Sequence, residues 1–148
     1  MYVLTRKKEL WNVEEELWGT YKFSHNLILH RKKFAAPAYT KGKEESYFVN
    51  GYPYILKDGL MIREIFKYSK RVLSSENEPA VLYPNGTKEW YCDGMLHRLN
   101  FPAIEYTNGD VEYWNWGKRH RQGGPAVVIG KNQYWFENGN FIKYDITV

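Results

Sequence analysis

Hydrophobic and polar positions alternate along this chain in short runs, cut by glycine turns roughly every ten residues. Ala80-Val81-Leu82-Tyr83 and Lys88-Glu89-Trp90-Tyr91 flank Asn85-Gly86, and Asn108-Gly109 separates a similar pair of runs. Asn-Gly between aromatic and β-branched residues predicts a two-residue hairpin turn, because type I′ geometry needs positive φ at both central positions. Asp93-Gly94 and Asn138-Gly139 supply further turns. A proline opens each unit, where its missing N–H removes no ladder bond. The pattern predicts a meander of short antiparallel strands.

The runs also repeat. Trp90-Tyr91-Cys92-Asp93-Gly94-Met95-Leu96-His97-Arg98 returns as Tyr113-Trp114-Asn115-Trp116-Gly117-Lys118-Arg119-His120-Arg121, and Pro79-Ala80, Pro102-Ala103 and Pro125-Ala126 keep the same step (117 − 94 = 23, 102 − 79 = 23, 125 − 102 = 23). Shorter copies start at Pro37, with Gly42, Tyr47-Phe48 and Gly51, and at Pro125, with Gly130, Trp135-Phe136 and Gly139. A degenerate copy is expected at the N-terminus, where Gly19, Phe23, His30 and Arg31 match Gly86, Trp90, His97 and Arg98 at one offset. A fixed period of this size marks one supersecondary unit stacked on copies of itself. One stretch breaks the period. Over about 57–75, Ile62, Ile65, Phe66 and Val72 recur at three- and four-residue intervals among Arg63, Lys67, Lys70 and Arg71, which predicts a short amphipathic helix, with an irregular loop as its alternative. The expected fold is therefore mostly β: a repetitive antiparallel β-meander of about 23-residue two-strand repeats with one inserted short helix. Degenerate repeats cover about 12–54 and clear ones about 76–142 of a single repeat domain, 1–148.

Composition sharpens this picture in three places. A chain of 148 residues that is 43% hydrophobic is long enough for one real core. Its 18% aromatic content arises because each repeat places two rings at adjacent positions. Strand neighbours face opposite sides, so one member of each pair (Trp90/Tyr91, Tyr113/Trp114, Trp135/Phe136) should be core and the other more exposed. Exposed aromatic rows signal an interaction surface. The net charge of +4 is modest and argues only weakly for nucleic acid. No apolar run approaches a membrane span, the N-terminal residues do not read as a secretory signal, and the single cysteine, Cys92, fits a reducing cytoplasm.

Candidate chemistry is thin. His30, His97 and His120 share one repeat position, each followed by Arg31, Arg98 or Arg121. A residue recurring once per repeat is expected to have a per-repeat structural duty, such as a ring nitrogen bonding the neighbouring turn. The arginines are expected to stack on a ring or pair with a carboxylate. His25 stands alone, no His/Cys spacing suits a metal, and Gly123-Gly124-Pro125 fills a turn position, not a phosphate loop. Neither cofactor, metal nor catalytic set is expected.

The run Tyr113-Trp114-Asn115-Trp116-Gly117-Lys118-Arg119-His120 resembles the core of a MORN repeat. With His-Arg and Gly-Pro-Ala added, it is similar to a variant common in large bacteriophages and other large DNA viruses. Arg follows the His where a typical MORN unit has Gly. The resemblance implies antiparallel sheets that act as scaffolds and binding surfaces. It leads to the expectation of a non-enzymatic protein–protein interaction module, a phage-encoded host-directed factor that inhibits a host defence complex in the host cytoplasm. The candidate contact residues are Trp116, Trp114, Tyr113, Tyr91, Trp135, Lys118, Arg119 and Arg121, with Trp116 standing where equivalent turns hold Asn50, Asp93 and Asn138. The alternative is a nucleic-acid binder using aromatics and the His-Arg row. A His-dependent hydrolase has least support, and no membrane partner is expected.

Overall fold

A computed structural model describes residues 3–10, 13–21, 27–29, 34–75 and 77–147. All regular elements among the described residues are β-strands. They gather into two compact units, 1–61 and 62–148.

In the first unit β1 (Val3–Leu10), β2 (Val13–Tyr21), β3 (Leu27–Leu29), β4 (Tyr39–Lys41), β5 (Glu44–Val49), β6 (Tyr52–Lys57) and β7 (Leu60–Ile62) run in the order β1-β2-β4-β5-β6-β7, with β3 also paired to β2. Asn50-Gly51 and Asp58-Gly59 have positive φ at both residues, as hairpin turns require. Ala38, Tyr54 and Met61 are buried. The N-terminal copy does not follow the expected register. Gly19, matched by offset to the turn glycine Gly86, lies within β2, opposite Leu4 on β1 and Leu29 on β3. A strand hydrogen-bonded on both sides has no place for a turn there. Phe23, His25, His30 and Arg31 lie outside the described residues.

The second unit holds β8 (Glu64–Lys67), β9 (Lys70–Leu73), β10 (Val81–Leu82), β11 (Lys88–Glu89), β12 (Tyr91–Cys92), β13 (Met95–Leu96), β14 (Ile104–Glu105), β15 (Val111–Glu112), β16 (Trp114–Asn115), β17 (Lys118–Arg119), β18 (Val127–Ile129), β19 (Asn132–Glu137) and β20 (Asn140–Ile146). The order β10-β11-β14-β15-β18-β19-β20 makes one antiparallel sheet, while β8-β9, β12-β13 and β16-β17 are separate hairpins. The repeats from Pro79 and Pro102 therefore each yield four short strands, two in the sheet and two in a hairpin, where the sequence predicts two; the copy from Pro125 yields β18, β19 and β20, all in the sheet. The reason is a corner at the first aromatic. Trp90 donates its N–H to Ala103 O across the sheet (2.8 Å), but its carbonyl accepts from His97 N–H at the end of its own hairpin (3.1 Å). Tyr113 does the same with Ala126 (2.7 Å) and His120 (3.1 Å).

The expected helix over 57–75 is absent. β8 and β9 form a hairpin with Ile65 opposite Val72 and a turn at Tyr68-Ser69, both left-handed (φ 52 and 60). Arg63 occupies the corner position, donating to Ala80 O (2.8 Å) and accepting from Ser74 N–H (3.3 Å). Of the residues that gave the helix-like spacing, Ile65 and Val72 meet across the ladder, Phe66 lies opposite Arg71, and Ile62 belongs to β7. The surplus residues thus belong to a degenerate repeat with a longer hairpin.

The turns also divide differently from expectation. At Asn85-Gly86 and Asn108-Gly109 only the glycines have positive φ (88 and 92). Gly86 N–H donates to Tyr83 O (2.9 Å) and Tyr83 N–H to Thr87 O (3.0 Å), the pattern of a three-residue loop closed by a left-handed glycine. Positive φ at both residues is found instead at Asp93-Gly94 and Trp116-Gly117 in the side hairpins, and at Asn138-Gly139 between β19 and β20.

Two rows across the sheet carry its packing. Val81, Glu89, Ile104, Glu112, Val127 and Tyr134 lie opposite one another in register and share a face. One step along the ladders, Ala80, Trp90, Ala103, Tyr113 and Ala126 alternate small with large, and the three alanines are 0% exposed. A ring on one strand thus fills the space over alanines on both neighbours. That is the physical basis of the Pro-Ala repeat.

Candidate interaction surface

Each side hairpin is clamped to the next by the same contacts. Gly94 N–H donates to Leu73 O (2.7 Å), Gly117 N–H to Leu96 O (2.9 Å) and Gly139 N–H to Arg119 O (2.9 Å). The left-handed residue before each glycine then donates its own N–H to a side chain of the preceding repeat: Trp116 to His97 Nδ1 (3.3 Å), Asn138 to His120 Nδ1 (3.3 Å) and Asp93 to Ser74 Oγ (3.5 Å). The histidines hold neighbouring turns, as their once-per-repeat placement predicts. Ser74 performs the task in the degenerate repeat.

The arginines that follow are equally committed. Arg98 lies 3.7 Å over the Trp90 ring and donates to Pro102 O (3.2 Å) and Glu105 Oε1 (2.7 Å). Arg121 lies 4.0 Å over the Tyr113 ring and donates to Pro125 O (3.3 Å). Each guanidinium caps the large ring of the alternating row and ties it to the proline opening the next strand.

Glu112 is a site that the repeat analysis missed. Its carboxylate, 7% exposed, accepts from Tyr106 Oη, Trp114 Nε1 and Arg119 Nε, each at 3.0 Å. A charge so buried is tolerated because three donors replace its water. Burial and the hydrogen bond to Glu112 push the Tyr106 hydroxyl up to about 12. Glu89 is the same position one repeat earlier and accepts from Tyr91 Oη (3.0 Å). Burial and the nearby Glu89 carboxylate raise Tyr91 far above its ordinary value, and Tyr83 is raised by the same causes. The signal was visible as Glu89 and Glu112 at the repeat spacing (112 − 89 = 23).

Among the eight candidate contact residues, Trp116 and Lys118 are exposed. Trp116 has φ 48, is 47% exposed and stacks on His97 with ring centroids 4.5 Å apart. Lys118 lies with its stem beside Gly139. The others are half-buried: Tyr91 on Glu89, Tyr113 under Arg121, Trp114 and Arg119 on Glu112, and Trp135 under Lys143 Nζ (4.3 Å). The core-and-exposed alternation holds for Trp90/Tyr91, where Trp90 is 3% exposed, but both members of Tyr113/Trp114 and Trp135/Phe136 are half-buried. At Trp90 and Tyr113 the corner turns the chain between the two rings, and at Trp135/Phe136 a bulge takes its place, so none of the pairs spans a flat strand.

Trp116 has apolar company. Met95 meets its turn at Gly117, and Leu99 and Phe101 follow His97 and Arg98 in the adjoining loop, all well exposed. Phe66 and Tyr68 are exposed on the β8–β9 hairpin. Sequence patterning did not single out Met95, Leu99, Phe101 or Tyr68, and it counted Phe66, which is 75% exposed, among the apolar positions of the expected helix. Among the described residues no group of three or more His, Cys, Asp or Glu side chains is placed to hold a metal, and no helix is long and apolar enough to cross a membrane. Comparison of the chain with protein-family models, curated proteins and solved structures found no match.

Proposed function

We propose that this chain is a non-enzymatic protein-interaction module whose contact surface centres on Trp116. The observation that carries the reading is the conformation of that residue. A left-handed hairpin position favours Asn, Asp or Gly, and a bulky residue there is strained. The equivalent turns hold Asp93 and Asn138, whereas here a tryptophan is held half outside, braced by His97 and bordered by Met95. Local strain of this kind collects at functional positions, and exposed tryptophans are favoured anchors of protein interfaces. The resemblance to repeats of large bacteriophages extends the proposal to a host-directed factor that binds and inhibits a defence complex in the host cytoplasm.

The nucleic-acid alternative is less well supported, because Arg98 and Arg121 already sit on rings and carbonyls. Trp116→Asn tests the proposal while retaining a residue suited to the turn. Capture from the native cell should retain a protein on the wild type that the variant loses, with the melting temperature within a few degrees. Unfolding of the variant would assign Trp116 to the core. Capture of nucleic acid with steep salt dependence, or a turnover lost in a folded His97→Ala variant, would also reject the reading.

A further inference from the structure

Among the described residues β20 ends the order of its sheet, and every residue from Asn140 to Ile146 is exposed, including Phe141 (57%), Ile142 (56%), Tyr144 (47%) and Ile146 (54%). A long apolar edge strand presents unpaired N–H and C=O groups that template another strand, and proteins usually blunt such edges. Which groups face outward follows from the inner ladder. Thr147 N–H donates to Lys131 O (2.8 Å), and hydrogen-bonded pairs alternate along an antiparallel ladder. Lys143 and Asp145 therefore face β19, while the backbone groups of Tyr144 and Ile146 point away from it; Ile142 is the extra residue at the bulge opposite Trp135 and Phe136.

We propose that β20 pairs antiparallel with β20 of a second copy of this chain, about a twofold axis at Tyr144. The segment Ile142-Lys143-Tyr144-Asp145-Ile146 reads as a palindrome with its charges inverted. Centred on Tyr144, Lys143 lies opposite Asp145 of the partner subunit, and Asp145 lies opposite the partner's Lys143. Ile142 pairs with the partner's Ile146, and Tyr144 with the partner's Tyr144. The central Tyr144 pair has its backbone groups pointing outward in both copies and exchanges both N–H···O bonds, while the charged pairs on either side occupy the closer non-hydrogen-bonded sites. Charge also selects this register over its neighbours. Moving the axis to Lys143 or to Asp145 sets Lys against Lys or Asp against Asp. Like charges directly opposite are destabilising. Such a contact is isologous and closes on itself, giving a dimer and not a fibre. In the single chain Asp145 Oδ1 accepts from Ile146 N–H (2.9 Å) and Lys143 lies over Trp135, so each charged group has an interim partner that pairing replaces.

Sedimentation equilibrium on the full chain should show a concentration-dependent species of twice the 17.6 kDa monomer mass. Lys143→Asp and Asp145→Lys should each shift the chain to monomer. An equimolar mixture of the two should recover a heterodimer by native mass spectrometry, because one carries two acidic and the other two basic residues at the paired sites. This recovery requires that both variants fold. A wild type that stays monomeric at every concentration overturns the proposal, as does a dimer that survives either single substitution unchanged.

Discussion

At the scale of single residues, side chains that look like chemistry turn out to be joinery. His97 and His120 accept from backbone N–H groups of the following turn, and Arg98 and Arg121 cap aromatic rings. That was legible in the sequence, because a residue recurring once per repeat serves the repeat. Glu112 was not singled out, since a lone acidic residue in a strand resembles any surface position until its three donors are seen. Its neighbour Tyr106 gives this cluster a pH signature. The Tyr106 hydroxyl is held at about 12 against an ordinary 10.0, so it keeps its proton more tightly in the folded state. Its contribution to stability is complete below pH 10.0 and is lost as the pH rises through 10.0 toward about 12. Tyr106→Phe should therefore reduce the alkaline loss of stability. Urea midpoints at about pH 9 and about pH 11.5 should differ less in the variant than in the wild type. An identical difference would show that the Tyr106–Glu112 bond does not contribute.

At the scale of elements, the alternating pattern placed the strands and turns of the clear repeats, but not the turn expected at Gly19, the hairpin at β8–β9 or the ladders that the strands join. Asn85-Gly86 and Asp93-Gly94 look alike in sequence, yet the first closes a three-residue loop in the sheet and the second a two-residue turn in a side hairpin. The difference lies in which strand supplies the next hydrogen bond, and that is a tertiary choice. The helix expectation at 57–75 failed for the same reason, because Ile65 and Val72 are cross-strand partners. Two substitutions probe these elements. Gly117 has φ 76, and an added Cβ would meet Met95 only at an ordinary 3.8 Å. Gly117→Val should therefore lose about 1–3 kcal/mol through backbone strain alone, read from chemical denaturation. Ala103 is 0% exposed between Trp90 and Tyr113. Ala103→Leu should lose about 1–3 kcal/mol by overpacking, and an unchanged denaturation midpoint would show slack in the row.

At the scale of the molecule, the sequence revealed the repeat and the β class, but not where repetition ends. The second unit is a sum of neighbouring repeats, each bonded chiefly to the next, so its edges are as informative as its interior. The pairing of β20 proposed above acts at this scale, because among the described residues that strand has a partner on one side. Function was the least legible level, since side chains at hairpin tips obey no periodicity. The degenerate repeat at β8–β9 has a further consequence. Its corner lies 27 residues before the next, against 23 between the following two (90 − 63 = 27, 113 − 90 = 23), while the step from Ser74 to His97 remains 23 (97 − 74 = 23). All four added residues fall in the hairpin, two on each strand, because an even addition to each strand leaves every side chain on its original face. The side hairpins are therefore a part of the chain that can change length, here by four residues, while the sheet keeps its gauge.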